Sequence, residues 1–235
     1  MGTRGTLYLI PVPLAESARG FDTELQTLVG RITYWIVETP KVARAQLRVL
    51  NPEVDLASLH LESWSKHGGN NPSSLLQACV NGFDVGLISD AGAPGMADPG
   101  AEVVAKAHEL GITVVPWPGP SSIVLGLMAS GLNGQQFSFY GYLPHDANAR
   151  KGLLNRMERE IASGSSHWFI ETPYRNAKLF AELVSGLSTQ TKLFVGVNLS
   201  APDEWIACRT VAQWRSAGVP AVLQGKSPAI WGIGR

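Results

Sequence analysis

Short, near-continuous apolar runs at residues 6–10, 32–37, 56–61, 85–89 and 113–116 alternate with longer segments whose apolar positions recur at helical spacing. Runs of the first kind read as buried strands, and those of the second as helices packed on them by one face. Helices are predicted over 22–30, where Leu25, Leu28 and Val29 share a face, and over 41–50, opened by Pro40. Two more are predicted over 71–82, with Asn71 as N-cap and Pro72 in the first turn, and over 101–110, with Gly111 just past its end. Five strands alternating with helices predict a mostly parallel sheet with helices between the strands. Beyond residue 120 the pattern changes. A helix is expected over 121–130, closed by Gly131, then strands over 137–142 and 167–170, a helix over 176–187, and strands over 192–197, 204–210 and 226–231. The pair 192–197 and 204–210 is expected to be antiparallel. The chain therefore reads as two α/β domains, 1–117 with a mostly parallel five-stranded sheet and 118–235 with a mixed one. Pro116, Pro118 and Pro120 form the linker between them.

Chemistry concentrates after the fourth and fifth strands. The run at 85–89 ends at Asp90 and empties into a loop holding Gly92, Pro94, Gly95, Pro99 and Gly100, too rich in glycine and proline for a helix. The run at 113–116 empties into Trp117-Pro118-Gly119-Pro120-Ser121-Ser122. Both loops would lie at the carboxyl edge of one sheet, where open α/β sheets bind ligands. Glycines let backbone approach a ligand closely, Asp90 sets a carboxylate at a strand end, and Ser121 and Ser122 bring hydroxyls to a helix start. The same residues also read as tight turns, with Asp90 and Ser121 as helix caps. Neither G-x-G-x-x-G nor G-x-x-x-x-G-K-[ST] occurs, which argues against a mononucleotide site of those kinds.

Composition narrows the classes. At 235 residues, 45% hydrophobic and 16% charged, the chain is globular and long enough for one or two cores. A formal net charge of zero means that any nucleic acid must meet a local basic patch. Cys79 and Cys208 form no metal or redox spacing, which suits a reducing cytosol. His60, His67, His108, His145 and His167 are scattered, so no metal site is expected. No apolar run approaches the ~18 residues of a membrane span. Residues 7–14 are interrupted by Pro11 and Pro13 and do not make a signal core.

The runs S-D-A-G-A-P-G-M-A-D-P-G at 89–100, V-V-P-W-P-G-P-S-S at 114–122, A-S-G-L at 129–132 and F-Y-G-Y-L-P at 139–144 closely resemble the tetrapyrrole methylase superfamily. Its nearest branch is the 16S ribosomal RNA 2′-O-ribose cytidine methyltransferases. The resemblance implies S-adenosylmethionine as cofactor, a cofactor cleft between two α/β domains, a homodimer and a cytoplasmic enzyme. Carried onto this chain, it implies cofactor contacts at Pro13, Asp90, Ala91, Gly92, Ala93, Met96, Ser121, Ser122 and Glu171. Glu171 lies in Glu171-Thr172-Pro173-Tyr174-Arg175, which is similar to the family's Glu-Ser-Pro-His-Arg, and Arg175 also reads as a structural partner for it.

Three departures fall outside the cofactor motifs. The family's Pro-Ile-Gly-Asn-Leu is here Pro13-Leu14-Ala15-Glu16-Ser17. Glu38 is kept, as a candidate acid or a cap for the helix after it, but the neighbouring acid is Thr39. The family's Ala-Arg-Glu-Leu-Thr-Lys is Gly196-Val197-Asn198-Leu199-Ser200-Ala201, without the Arg-Glu pair. Methyl transfer to a ribose hydroxyl calls for in-line positioning and gains from a general base. Asp90, Glu38 and Glu171 are the candidate carboxylates. On charge pattern alone a solvated helix face is the better account of Arg150, Lys151, Arg156 and Arg159, but the resemblance, whose members carry basic residues after F-L-P, implies contacts to RNA phosphates there, at Arg150 and Lys151 above all. The chain is thus expected to be an S-adenosylmethionine-dependent methyltransferase acting on a ribose of 16S ribosomal RNA. A different, small-molecule acceptor and a non-catalytic cofactor-binding protein are the alternatives.

Overall fold

The computed structural model describes residues 3–15, 21–64, 71–97 and 100–235. Packing divides the chain into two units, Met1–Ser121 and Ser122–Arg235. The first unit runs β1 (Thr6–Leu9), α1 (Thr23–Arg31), β2 (Tyr34–Val37), α2 (Pro40–Leu50), β3 (His60–Ser63), α3 (Pro72–Leu75), α4 (Gln77–Val80), β4 (Val85–Ile88), α5 (Ala101–Glu109) and β5 (Thr113–Pro116). Its five strands pair in the order β3-β2-β4-β1-β5, all parallel. Helices cover both faces, so alternate strand residues enter different cores. Trp35, Val37 and Ile88 pack with Leu25, Leu28 and Val29 of α1 and Ala43 and Leu47 of α2. Ile36, Val85 and Leu87 pack with Leu75, Leu76, Cys79, Val103 and Ala107 of α3, α4 and α5. Gly86 makes room for this arrangement: a Cβ there would lie 2.3 Å from the Trp35 ring. Burial pushes the Cys79 pKa up to about 12, so the thiol stays protonated and packs as an apolar group.

The strand order places a switch at the centre of the sheet. From β1 the chain crosses to β2 on one side, whereas from β4, beside β1, it crosses to β5 on the other. Loops leaving the carboxyl ends of β1 and β4 therefore diverge and leave a crevice, the position at which such sheets take ligands.

The second unit runs α6 (Ser122–Ser130), β6 (Phe137–Tyr142), α7 (Ala147–Ala162), β7 (Ser166–Glu171), α8 (Asn176–Gly186), β8 (Lys192–Val197), β9 (Trp205–Thr210), α9 (Val211–Ala217) and β10 (Ala229–Gly234). The sheet order is β6-β7-β10-β8-β9. Only β6 and β7 are parallel neighbours, while β10 runs antiparallel to β7 and β8, and β9 antiparallel to β8. One face carries Phe169, Val195 and Trp231 against α7, α8 and α9. The other carries Trp168, Phe194 and Ile230 against Ile123 of α6. The two α/β units, one parallel and one mixed, are those the sequence pattern predicts.

Several elements differ from expectation. The strand expected at 56–61 begins at His60, because Asp55 organises a turn: its carboxylate takes the Ala57 N–H at 3.0 Å and its carbonyl the Ser58 hydroxyl at 2.8 Å. Leu56 and Leu59 still reach the α1–α2 core, but from that turn. The helix expected over 71–82 breaks at Leu76 (φ −93°, ψ 4°), which lets the neighbouring Leu75 and Leu76 both be buried. The last strand starts at Ala229 and not near Lys226, since the Pro228 carbonyl is turned to Asn198 N–H at 3.1 Å. Helix α9 was not anticipated, although its capping box, Thr210 with Gln213, is legible in the sequence.

One histidine makes the second unit sensitive to acid. His167 on β7 is fully buried, with Nδ1 3.3 Å from the Tyr140 hydroxyl and Nε2 3.6 Å from Glu160. Burial lowers its pKa below the ordinary 6.5, and the nearby Glu160 carboxylate only partly opposes this. A depressed histidine pKa means that the unfolded chain takes up a proton that the folded chain refuses. The resulting stability is complete above 6.5 and is lost as pH falls below it. Urea midpoints are expected to fall between pH 7 and roughly 5.5, and His167→Phe to flatten that dependence. An unchanged slope in the variant would assign the effect to other groups.

Candidate functional site at the strand ends

Three loops meet at the carboxyl edge of the parallel sheet. The chain leaving β1 continues with Ile10 N–H on the Leu87 carbonyl at 2.9 Å. Val12 and Gly92 then exchange both backbone bonds, at 2.9 and 3.1 Å, in an isolated antiparallel bridge. The third loop is tied in by Trp117 N–H to the Leu9 carbonyl at 2.8 Å. Gly92 sits at φ +76°, where a side chain is strained, and a Cβ there would lie 3.0 Å from Leu14. Its N–H and C=O are both taken by Val12, so its role is to hold the loop and not to offer hydrogen bonds.

Asp90 is committed to the same framework. Its carboxylate accepts the Thr39 N–H at 3.1 Å and the Thr39 hydroxyl at 2.8 Å. Its own N–H goes to Glu38 Oε2 at 3.2 Å, and its carbonyl takes Gln46 Nε2 at 3.2 Å. The ends of β2 and β4 are thereby cross-braced. Glu38 does not cap α2 as one sequence reading expected: the N-cap is Thr39, without a side-chain capping bond. Thr39, which replaces an acid in the family pattern, supplies the hydroxyl that Asp90 accepts; a second carboxylate there would have faced Asp90 as a like charge.

The expected cofactor contacts are distributed as follows. Pro13 is buried, Ala91 and Met96 are exposed, and Ala93 is half-buried. Ser121 is 7% exposed, and its hydroxyl has no hydrogen-bond partner among the described residues. Glu16 and Ser17 of the first departure lie outside the described residues. Ser122 and Glu171 belong to the second unit. In the first unit, Ala91 and Ala93 flank Gly92, nothing lies within 4 Å of a Cβ placed on Gly95, and the Ser121 hydroxyl has no partner among the described residues, which leaves room for a ligand such as S-adenosylmethionine beside the Val12–Gly92 bridge.

In the second unit the carboxyl ends of β6, β7 and β8 share an edge with the amino ends of β9 and β10. Glu171 stands there, 5% exposed. Its Oε1 accepts the Thr172 N–H at 2.7 Å and hydroxyl at 3.2 Å, while Oε2 lies 3.5 Å from Arg175 Nε. Arg175 also contacts the His145 ring. The segment that lost the family's Arg-Glu pair closes on itself: Asn198, at φ +51°, donates to Asp203 at 2.7 Å and Ser227 at 3.1 Å. Ser200, at φ +71°, donates its N–H to Glu204 at 2.7 Å.

Arg150 corrects the expected phosphate patch. It is 6% exposed and donates to Glu182 at 2.8 Å and to the carbonyls of Pro144 and His145 at 2.6 and 3.0 Å. Its guanidinium pins the start of α7 to α8 and is closed to phosphate. Lys151 and Arg159 are exposed, and Arg156 pairs with Glu160 at 3.7 Å. Sequence reasoning missed Glu182 and Gln46, whose partners lie 32 and 44 positions away and leave no local signal. Among the described residues no group of three or more His, Cys, Asp or Glu could hold a metal. No described helix is long and apolar enough to cross a membrane.

A two-unit α/β chain with a switch-point crevice and glycine-rich strand-end loops has the fold of the tetrapyrrole methylases. It superimposes on the methyltransferase CobJ with a TM-score of 0.63 at 13% identity, covering 98% of this chain and 94% of that one. Against uroporphyrin-III C-methyltransferase from Thermus thermophilus, solved with S-adenosylhomocysteine, the TM-score is 0.56 at 18% identity, covering 98% of each chain. No protein-family model matches the chain. Among curated proteins, ribosomal RNA small subunit methyltransferase I of Pseudomonas aeruginosa is 34% identical over 209 residues, covering 89% of this chain and 71% of that protein. Its namesakes from Vibrio cholerae and Mesorhizobium japonicum are 28% and 33% identical, covering 88% and 84% of this chain and 69% and 65% of those proteins. The chain belongs to the ribosomal RNA small subunit methyltransferase I family, and it spans about two thirds of the length of these relatives.

Two substitutions test these assignments. Gly92→Val is expected to lower stability by about 1–3 kcal/mol through backbone strain and the Leu14 contact, and to weaken S-adenosylmethionine binding in the protein that remains folded. Denaturant midpoints and calorimetry on the same preparations separate the two losses. Arg150→Ala is expected to destabilise by about 1–3 kcal/mol, because it unmakes three part-buried donations, to Glu182 and to the carbonyls of Pro144 and His145. Any RNA affinity should persist in the folded fraction, measured well below the melting temperature.

Proposed function

We propose that this chain transfers a methyl group from S-adenosylmethionine to a ribose 2′-oxygen of small-subunit ribosomal RNA, as a homodimer in the cytoplasm. The observation that supports the cofactor half is the brace of Val12, Gly92 and Asp90, which fixes the loop carrying Ala91, Ala93 and Met96 at the switch point of the sheet. The RNA half is supported by the curated relatives, each a ribosomal RNA methyltransferase by name.

When bound, the cofactor supplies an activated methyl group on sulfur and its own leaving group. The chain's task is to bind, orient and keep water away. Ala91 and Ala93 allow a ligand close to the backbone, and the Ser121 hydroxyl is free to hydrogen-bond it. Proton removal from a ribose hydroxyl needs a carboxylate with an oxygen to spare. Both Asp90 oxygens accept from Thr39, and both Glu171 oxygens have partners. Glu38 Oε1 has none among the described residues, so Glu38 is assigned as the general base. Lys151 is retained as a phosphate contact in place of the Arg150–Lys151 pair.

A second reading, methyl transfer to a small-molecule acceptor, is favoured by the turn at residues 196–201, where the family's Arg-Glu pair is absent. Labelled methyl transfer to small ribosomal subunits lacking the modification distinguishes the two. The wild-type chain is expected to label the RNA, and Glu38→Gln to slow labelling by about 10²- to 10⁴-fold with cofactor affinity unchanged. Cofactor binding without RNA labelling would replace the RNA reading by the second one, and no binding at millimolar cofactor would remove both.

A further inference from the structure

Tyr174 occupies an unusual position for an aromatic side chain. It lies in the single 3₁₀ turn Pro173–Arg175 that follows β7, and it is 76% exposed. Among the described residues its ring contact is Lys226, whose ammonium stands 5.1 Å from the ring centroid. Scattered exposed tyrosines are ordinary surface residues. This one is held in place by its backbone. Arg175 N–H closes the turn on the Thr172 carbonyl at 2.9 Å. Asn176, 1% exposed, donates to the Ser227 carbonyl at 2.8 Å and so fixes the Lys226 segment to the same turn. Asn198 donates to the Ser227 hydroxyl at 3.1 Å from a third loop. The backbone segments that carry the ring and the ammonium are thus tied together before any ligand arrives, which lowers the ordering cost of binding.

Charge at this edge leaves Lys226 available. Asp203 is taken by Asn198, Glu204 by the Ser200 N–H, and Glu171 by Thr172 and Arg175. Lys226 has no carboxylate partner among the described residues. An exposed ring with a cation beside it that has no carboxylate partner among the described residues suits a ligand that carries a flat π system beside a negative charge. An unpaired nucleotide is such a ligand, its base stacking on the ring and its phosphate meeting the ammonium.

We propose that Tyr174 and Lys226 form a stacking platform for one unpaired nucleotide of the RNA, selecting a single-stranded target. This rests on the RNA reading of the site. The experiment titrates the full chain against small ribosomal subunits lacking the modification, at several salt concentrations, with cofactor binding measured in parallel. Tyr174→Ala is expected to weaken subunit binding about 5- to 150-fold, and Tyr174→Phe to restore it because the ring survives. Lys226→Ala is expected to reduce the slope of log affinity against log salt by about 0.7. Cofactor affinity and melting temperature should be unchanged in all three. Tyr174→benzoylphenylalanine, irradiated on the subunit, should attach to RNA.

If the wild-type chain binds and labels subunits while Tyr174→Ala binds them equally well, the platform is overturned and the RNA reading stands. Attachment of the photoreactive variant to a ribosomal protein would overturn it in favour of a protein contact. Failure of the wild-type chain to bind subunits, with cofactor binding intact, would remove the RNA reading and the platform together.

Discussion

A parallel sheet ends in backbone groups that have lost their neighbours, and those groups must find partners when the chain turns away. In this protein the problem is solved at the centre of the first sheet by Val12 and Gly92, which exchange both backbone bonds across the gap between β1 and β4. That exchange requires a residue at φ +76° with no side chain facing Leu14. It sets the path of both loops at the switch point. The small residues Ala91 and Ala93 flank Gly92 in the loop whose path the bridge fixes.

The carboxylates at this edge follow the same logic. Asp90 and Glu38 bind one another's backbone neighbourhood, and through Thr39 they tie β2 to β4. A group used in this way is a positioning group, and its value to catalysis lies in the rigidity it gives the loops. Glu38 Oε1 has no partner among the described residues. In the second unit Glu171 and Arg150 are likewise held by several partners, and the exposed groups Tyr174, Lys226 and Lys151 are those left facing solvent. Within each unit, side chains rich in hydrogen bonds build the scaffold, and side chains poor in them are the ones available to a ligand.

The two α/β units, the strand-end loops and the family resemblance were legible in the sequence because they depend on local rules. Buried strands such as β4 read as short apolar runs, and Asn71-Pro72 marks a helix start. The glycines and prolines at 89–100 exclude any regular element. Local rules also explain the errors of reach. Leu56 and Leu59 are apolar for the core, but Asp55 bends their backbone into a turn, and periodicity does not distinguish the two outcomes.

Only the tertiary structure decided which charged residues are free. Arg150 and Lys151 are neighbours in sequence with the same charge, yet one is buried against Glu182 and the other lies in solvent. Asp90, a plausible base from its place at a strand end, gives both oxygens to Thr39, a residue 51 positions away. Tyr174 and Lys226 meet only because β10 returns antiparallel beside β7. The sequence by itself determined the elements and their order, since propensity, period and turn chemistry act over a few residues. The pairing of distant side chains depends on the closing of the sheets, and that pairing leaves no signal within a few residues of sequence.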